Sequence, residues 1–187
     1  MQEYIKEIAG GVTAAKGFQA ACAEAEIKYK NRTDMAMVYS EVPCTCAGTF
    51  TSNVVKAACV QWDQKIVASG AKMQAVVVNS GIANACTGQE GWDACEATAQ
   101  AVEKELNIPA ESVAVASTGV IGMQLPVEKL VNGVAKMSKT LAHTAEAGTA
   151  ASKAIMTTDT INKEIAVTFT AGGKEVILGG SISTLEQ

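Results

Sequence analysis

Two hydrophobic periods, one of two residues and one near 3.6, alternate along this chain, and their order excludes an all-helical or an all-β architecture. Met73 to Val78 is a β-branched run without a charge, suited to a buried strand. It ends at the polar, glycine-bearing stretch Asn79 to Asn84, and a strand that empties into such a loop often builds a site. From Trp92 to Leu106, Ala94, Ala97, Ala101, Val102 and Leu106 recur at helical spacing, and Asn107 with Pro109 stops the segment. Ser112 to Ser117 predicts another strand, followed by the turn Thr118-Gly119. From about Val127, Leu130, Val134, Met137 and Leu141 fall on one face of a helix, and a further Ala-rich helix covers 144–156. Ile165, Val167 and Phe169 alternate with polar neighbours, Gly172-Gly173 makes a tight turn, and Glu175 to Leu178 returns as a hairpin. Near the start, Gly10 to Phe18 is a glycine-punctuated loop, and Ala20–Lys30 and Asp34–Ser40 read as two strands around a turn at Asn31-Arg32. Helices and antiparallel strands in this mixed order predict an α+β layered fold rather than a doubly wound sheet. With no repeat and no long linker, residues 1–187 are expected to form a single domain.

Composition excludes several classes of partner. Fifteen Lys and Arg against 19 Asp and Glu give a net charge of -4, so no basic excess points to nucleic acid or anionic lipid. No apolar run approaches 18 residues, and Met1 to Glu7 carries two acids and no apolar core, so neither a membrane span nor a signal peptide is expected and the chain reads as cytoplasmic. Six cysteines lie scattered in Ala-rich segments, expected as free, buried thiols. Cys44 and Cys46 are one residue apart, short of zinc spacing, and no second pair follows, so no metal is expected.

Few residues carry an obvious chemistry. The one histidine, His143, lies between two predicted helices with no Ser or Cys in a nucleophile motif, and is expected to cap a helix or face solvent. No glycine run matches a phosphate loop or a dinucleotide fingerprint. The informative piece is Ala116 to Gly122, where a strand runs into Ser117, Thr118 and Gly119 before a helix. Backbone N–H groups in such a turn are expected to lack ladder partners, and Gly119 admits a substrate carbonyl, as an oxyanion hole requires. The competing role is a cap with a permissive glycine. A second cluster of hydroxyls and an acid spans Met156 to Thr160, and it too can be a capped turn.

Five blocks together resemble one family: Gly10 to Phe18, Ala47 to Ala58, Val77 to Gly88, Ala116 to Gly122 with Leu125-Pro126, and Ala154 to Thr160. From about residue 8 to residue 180 the chain is similar to the bifunctional ornithine acetyltransferase/glutamate N-acetyltransferase of arginine biosynthesis, with the blocks in the same order. The resemblance implies a layered α/β/β/α sandwich of the self-processing type, in which a precursor cuts itself into an α and a β chain. This chain looks like the α part, and the threonine that begins the β chain is the nucleophile. Ping-pong transfer then carries acetyl from N-acetylornithine to glutamate without a cofactor, and some members accept acetyl-CoA as donor. By position in the matching blocks, Thr118 and Gly119 would form the oxyanion hole and Thr157 would contact substrate. The implied partners are the β chain, in an αβ hetero-oligomer, and the two amino-acid substrates.

The sequence departs from the family in two places. Ile82 stands where members often carry an asparagine, a change expected to alter polar contacts in that loop. After Gly179-Gly180 the family continues with a substrate-binding lysine and the cut site, whereas this sequence reads Ser181 to Gln187, an atypical tail in which Ser181, Ser183 and Thr184 are not expected to be catalytic. That tail favours a competing function, a non-catalytic α-like binding or assembly module. A third, a thiol-dependent enzyme, would require one low-pKa cysteine.

Overall fold

The structure, a computed structural model, describes residues 5–182. Strand β1 (Lys6–Ile8) leads through a short 3-10 turn at Gly11–Thr13 to β2 (Phe18–Ala23) and β3 (Met35–Cys44). There follow α1 (Ala58–Ser69), β4 (Met73–Ile82), α2 (Gly88–Leu106), β5 (Val113–Val120), α3 (Val127–Met137), α4 (Ala145–Ala154) and the hairpin β6 (Lys163–Ala171) and β7 (Lys174–Ile182). They build two sheets, β2-β3-β4-β5 and β1-β6-β7, in an α+β sandwich as expected. β4 and β5 run parallel, and every other pairing is antiparallel.

Alternation along the strands of the larger sheet sorts its two faces. Ala21, Ala23, Met35, Met37, Ala75, Val77, Val113 and Val115 join the main core with Cys59, Trp62 and Ile66 of α1, Cys95 and Val102 of α2, and Leu130, Val134 and Met137 of α3. On the other face Ala20 and Ala36 pack against Ala151 and Ala154, and these small residues let α4 lie close to the sheet. The smaller sheet is held to α4 by the loop that precedes β2. Gly179 lies so near the Gly11 carbonyl oxygen that an added Cβ would come within 2.0 Å of it.

Several predicted elements change their limits, three of them in ways that reshape the site's surroundings. The strand expected over Ala20–Lys30 ends at Ala23, because the buried Asp34 carboxylate draws in the N–H groups of Ala25 (2.8 Å) and Ile27 (2.6 Å) and folds the connection into a loop. The helix expected to reach Leu141 ends at Met137. The expected loop 79–84 is largely strand, since β4 continues to Ile82. Two elements were not foreseen, β1 and α1. The hairpin matches, with Gly172 and Gly173 both at positive φ in its turn. Ser181 lies in β7, while Ser183 and Thr184 lie outside the described residues. Among the described residues no helix is long and apolar enough to cross a membrane.

Candidate active site

β4 and β5 end side by side, with Ser80 opposite Thr118, Gly81 opposite Gly119 and Ile82 opposite Val120. The carboxyl ends of adjacent parallel strands are where layered folds commonly place their sites. Thr118-Gly119, expected as a turn free of ladder partners, instead lies inside β5, and the chain leaves the sheet only after Val120. The ladder is distorted there, with φ +104° at Gly81 and +135° at Gly119, values that side chains rarely adopt. Thr118 is 2% exposed and Ser80 is fully buried.

The Asn79–Asn84 segment supplies internal structure to this corner rather than an open polar loop. Asn79 donates to the Ile82 carbonyl at 2.9 Å and accepts from the Ser117 hydroxyl at 2.7 Å. Asn84 donates to the Gly91 carbonyl at 2.9 Å and accepts from the Thr87 hydroxyl at 2.6 Å, binding β4 to the start of α2. Ile82, expected to alter polar contacts, is 2% exposed and packs in the core.

The third predicted residue, Thr157, follows α4, whose end is tied to this corner. The Ser80 hydroxyl donates to the Ala154 carbonyl at 2.8 Å, and the Arg32 guanidinium donates to the Met156 carbonyl. Thr157 follows directly, its Oγ1 buried and without a hydrogen-bond partner. A buried hydroxyl left so costs about 1–3 kcal/mol, so it is a group with a bond to offer. Ser80 and Arg32 were not singled out from the sequence. Their partners are backbone carbonyls, which leave no side-chain signature, and the hydroxyl beside Gly81 was the one available hint.

The remaining candidates stand apart from this corner. His143 Nδ1 lies 2.6 Å from the Phe18 carbonyl on an exposed side chain between α3 and α4. Among the described residues no group of three or more His, Cys, Asp or Glu is placed to hold a metal ion. The six cysteines are free, Cys59 and Cys95 buried and Cys86 exposed. Burial and the nearby Asp63 charge raise the Cys59 pKa, and burial with the charges of Cys59 and Asp63 pushes Cys95 up to about 12. Burial also raises Cys22. These three are thus poor thiolates at neutral pH.

Comparison with known proteins bears on the whole architecture at once. The ArgJ family model matches residues 19–182. The chain belongs to the ArgJ family. The arginine biosynthesis bifunctional protein ArgJ of Gloeobacter violaceus is 46% identical over 173 residues, 92% of this chain and 42% of that protein. Its counterpart in Thermotoga neapolitana is 46% identical over 166 residues, 88% of this chain and 41% of that protein. The chain therefore spans about two-fifths of the length of these ArgJ relatives. Among solved ArgJ structures, the Bacillus halodurans protein superposes with a TM-score of 0.91 at 37% identity, over 98% of this chain and 95% of that chain. The ornithine acetyltransferase of Mycobacterium tuberculosis, complexed with ornithine, superposes at 0.88 with 40% identity, over 97% of this chain and 95% of that chain.

Proposed function

We propose that this chain is the α chain of a glutamate N-acetyltransferase that carries acetyl from N-acetylornithine to glutamate, with acetyl-CoA a further donor. The observation that supports the proposal is the tie between Ser80, paired with Thr118 at the carboxyl ends of β4 and β5, and the Ala154 carbonyl three residues before Thr157, in a chain of the ArgJ family. The chain's own histidine stands away from any nucleophile, which suits a site completed by the terminal threonine of a β chain, whose own α-amine serves as base.

In the first half-reaction that threonine oxygen attacks the acetyl carbonyl, its proton passing to the α-amine. The tetrahedral oxyanion is held by the Thr118 hydroxyl and the Gly119 N–H, and collapse expels ornithine with the proton on its departing amine. In the second, the glutamate amine attacks the acetyl-threonine ester through the same oxyanion site, regenerating the threonine and yielding N-acetylglutamate. Thr157 donates its unused hydrogen bond to a polar group of the substrate.

The test is acetyl transfer from N-acetylornithine to glutamate, with the chain alone and in an αβ assembly with a β chain that begins at threonine. Activity is expected in the assembly only. Thr118→Val in that assembly should lower kcat by about a hundredfold, with the melting transition followed to confirm that β5 stays folded. Wild-type turnover in Thr118→Val would remove the oxyanion role, and a well-formed assembly without transfer would make the domain a binding module.

A further inference from the structure

We infer that Arg32 and Ser80 are positioning residues that clamp the carboxyl end of α4 and thereby keep the Thr157 hydroxyl at the Thr118 corner, an inference that rests on the acetyl-transfer reading. The last carbonyls of a helix have no intrahelical partners, and a helix end normally turns to a left-handed residue or to water to satisfy them. α4 has no left-handed cap, because Ile155 keeps right-handed geometry at φ -89°. The Lys153 carbonyl accepts the Met156 N–H at 3.2 Å, and donors from two distant elements take two more, Ser80 on β4 for the last helical carbonyl, Ala154, and Arg32 on the β2–β3 connection for Met156 just beyond the helix.

Both donors are themselves held in place. Ser80 is fully buried, and its N–H donates to the Asp34 carbonyl at 2.8 Å. The Asp34 carboxylate, 2% exposed, accepts the Ala25 and Ile27 N–H groups, and Glu24 Oε1 accepts the Asn31 N–H at 2.7 Å. The loop carrying Arg32 is thus stitched at both ends before the guanidinium reaches across. Arg32 is half-buried and makes no ion pair among the described residues, so its charge is directed at a neutral carbonyl at the negative end of a helix dipole. One residue beyond that carbonyl, Thr157 Oγ1 is buried without a partner. A hydroxyl able to rotate to water would do so, and the clamp withholds that option until substrate supplies the bond.

A double-mutant cycle on the αβ assembly tests the clamp, with kcat and KM for N-acetylornithine measured for the wild type, Arg32→Gln, Thr157→Val and the double variant. Arg32→Gln is expected to raise KM about tenfold, with kcat within about twofold. In the Thr157→Val background it should add little, because the hydroxyl it positions is gone. Arg32→Lys, which keeps a charged donor, should recover most of the loss. Ser80→Ala repeats the cycle from the other side of the clamp and keeps the test alive should Arg32→Gln not fold. Hydrogen exchange should quicken at residues 155–158 in Arg32→Gln while the rest of the chain stays protected.

An Arg32→Gln effect of equal size with or without the Thr157 hydroxyl overturns the clamp and leaves acetyl transfer standing. Thr157→Val with wild-type KM, or a wild-type assembly that transfers no acetyl group, overturns the reading of the site and the clamp's role with it.

Discussion

A methyl group has no room at position 119. Built on the Gly119 backbone, a Cβ would stand 2.3 Å from the Gly81 carbonyl carbon and 2.7 Å from the Ile82 nitrogen, in a conformation at φ +135° that strains any side chain. Gly119→Ala therefore does not probe carbonyl access alone, for the neighbour a methyl meets first is β4. Gly119→Ala should destabilise the chain by about 2–4 kcal/mol, read as an earlier urea midpoint. A wild-type midpoint would show that the two strands separate freely and would restore the residue as a clean probe of the oxyanion site. Thr118→Val, which alters a hydroxyl and leaves the backbone contact untouched, is the better catalytic probe. The Ser117-Thr118-Gly119 run was legible in the sequence because a strand ending in hydroxyl and glycine is locally distinctive. The reason for the glycine was not, since Gly81 becomes its neighbour only through parallel pairing.

At the scale of elements, helices with a strong stop signal were legible. α2 ends at Asn107, left-handed at φ 53°, before Pro109. α1 escaped because its N-cap is Ala57, which offers no side-chain bond, and its buried core face is four residues, Ala58, Cys59, Trp62 and Ile66. Yet α1 has a defined task at the open edge of the larger sheet. Trp62 Nε1 donates to the Val113 carbonyl at 2.9 Å, and Asp63 Oδ1 accepts the Val115 N–H at 2.9 Å, so this helix occupies pairing groups that a bare edge strand would present. The cost falls on Asp63, whose carboxyl is pushed by burial from 3.8 to about 6 against the opposing effect of the Val115 N–H. Because the folded-state pKa is raised, the folded chain binds the proton more tightly than the unfolded one, and this group's destabilisation grows as pH rises from about 4 to 6. Asp63→Asn keeps an oxygen for Val115 and removes the buried charge. It should stabilise the chain at pH 7 by up to about 3 kcal/mol, the gain shrinking as pH falls through 6 and vanishing near 4. Urea denaturation of both proteins across that range checks it, and a gain independent of pH would exclude the buried charge as its cause.

At the scale of the whole molecule, the smaller sheet is lopsided. Its inner face sets Ala166 and Gly179 against α4 and the Gly11 loop, whereas cross-strand register places Ile165, Val167, Phe169, Val176, Leu178 and Ile182 together on the outer face. Ile165, Leu178 and Ile182 are 55%, 61% and 66% exposed, and beyond the Thr118 corner Ile121 and Met123 are exposed as well. Isolated apolar residues are ordinary on a surface, but a sheet face that groups six, three of them exposed, is what a docking surface is expected to look like. Its occupant on the proposed function is the β chain, for the ArgJ relatives carry more than half of their length outside the region this chain matches. Leu178→Lys should leave the chain's own stability within about 0.5 kcal/mol, since the side chain is mostly exposed. It should weaken assembly with the β chain at least about tenfold, as expected for a central apolar anchor, and reduce self-association of the chain alone. Sedimentation velocity on the chain, with and without the β chain, separates the outcomes. Equal affinity for the wild type and Leu178→Lys would move the interface off the hairpin, and a dispersed wild-type monomer that ignores the β chain would leave the outer face without its proposed occupant.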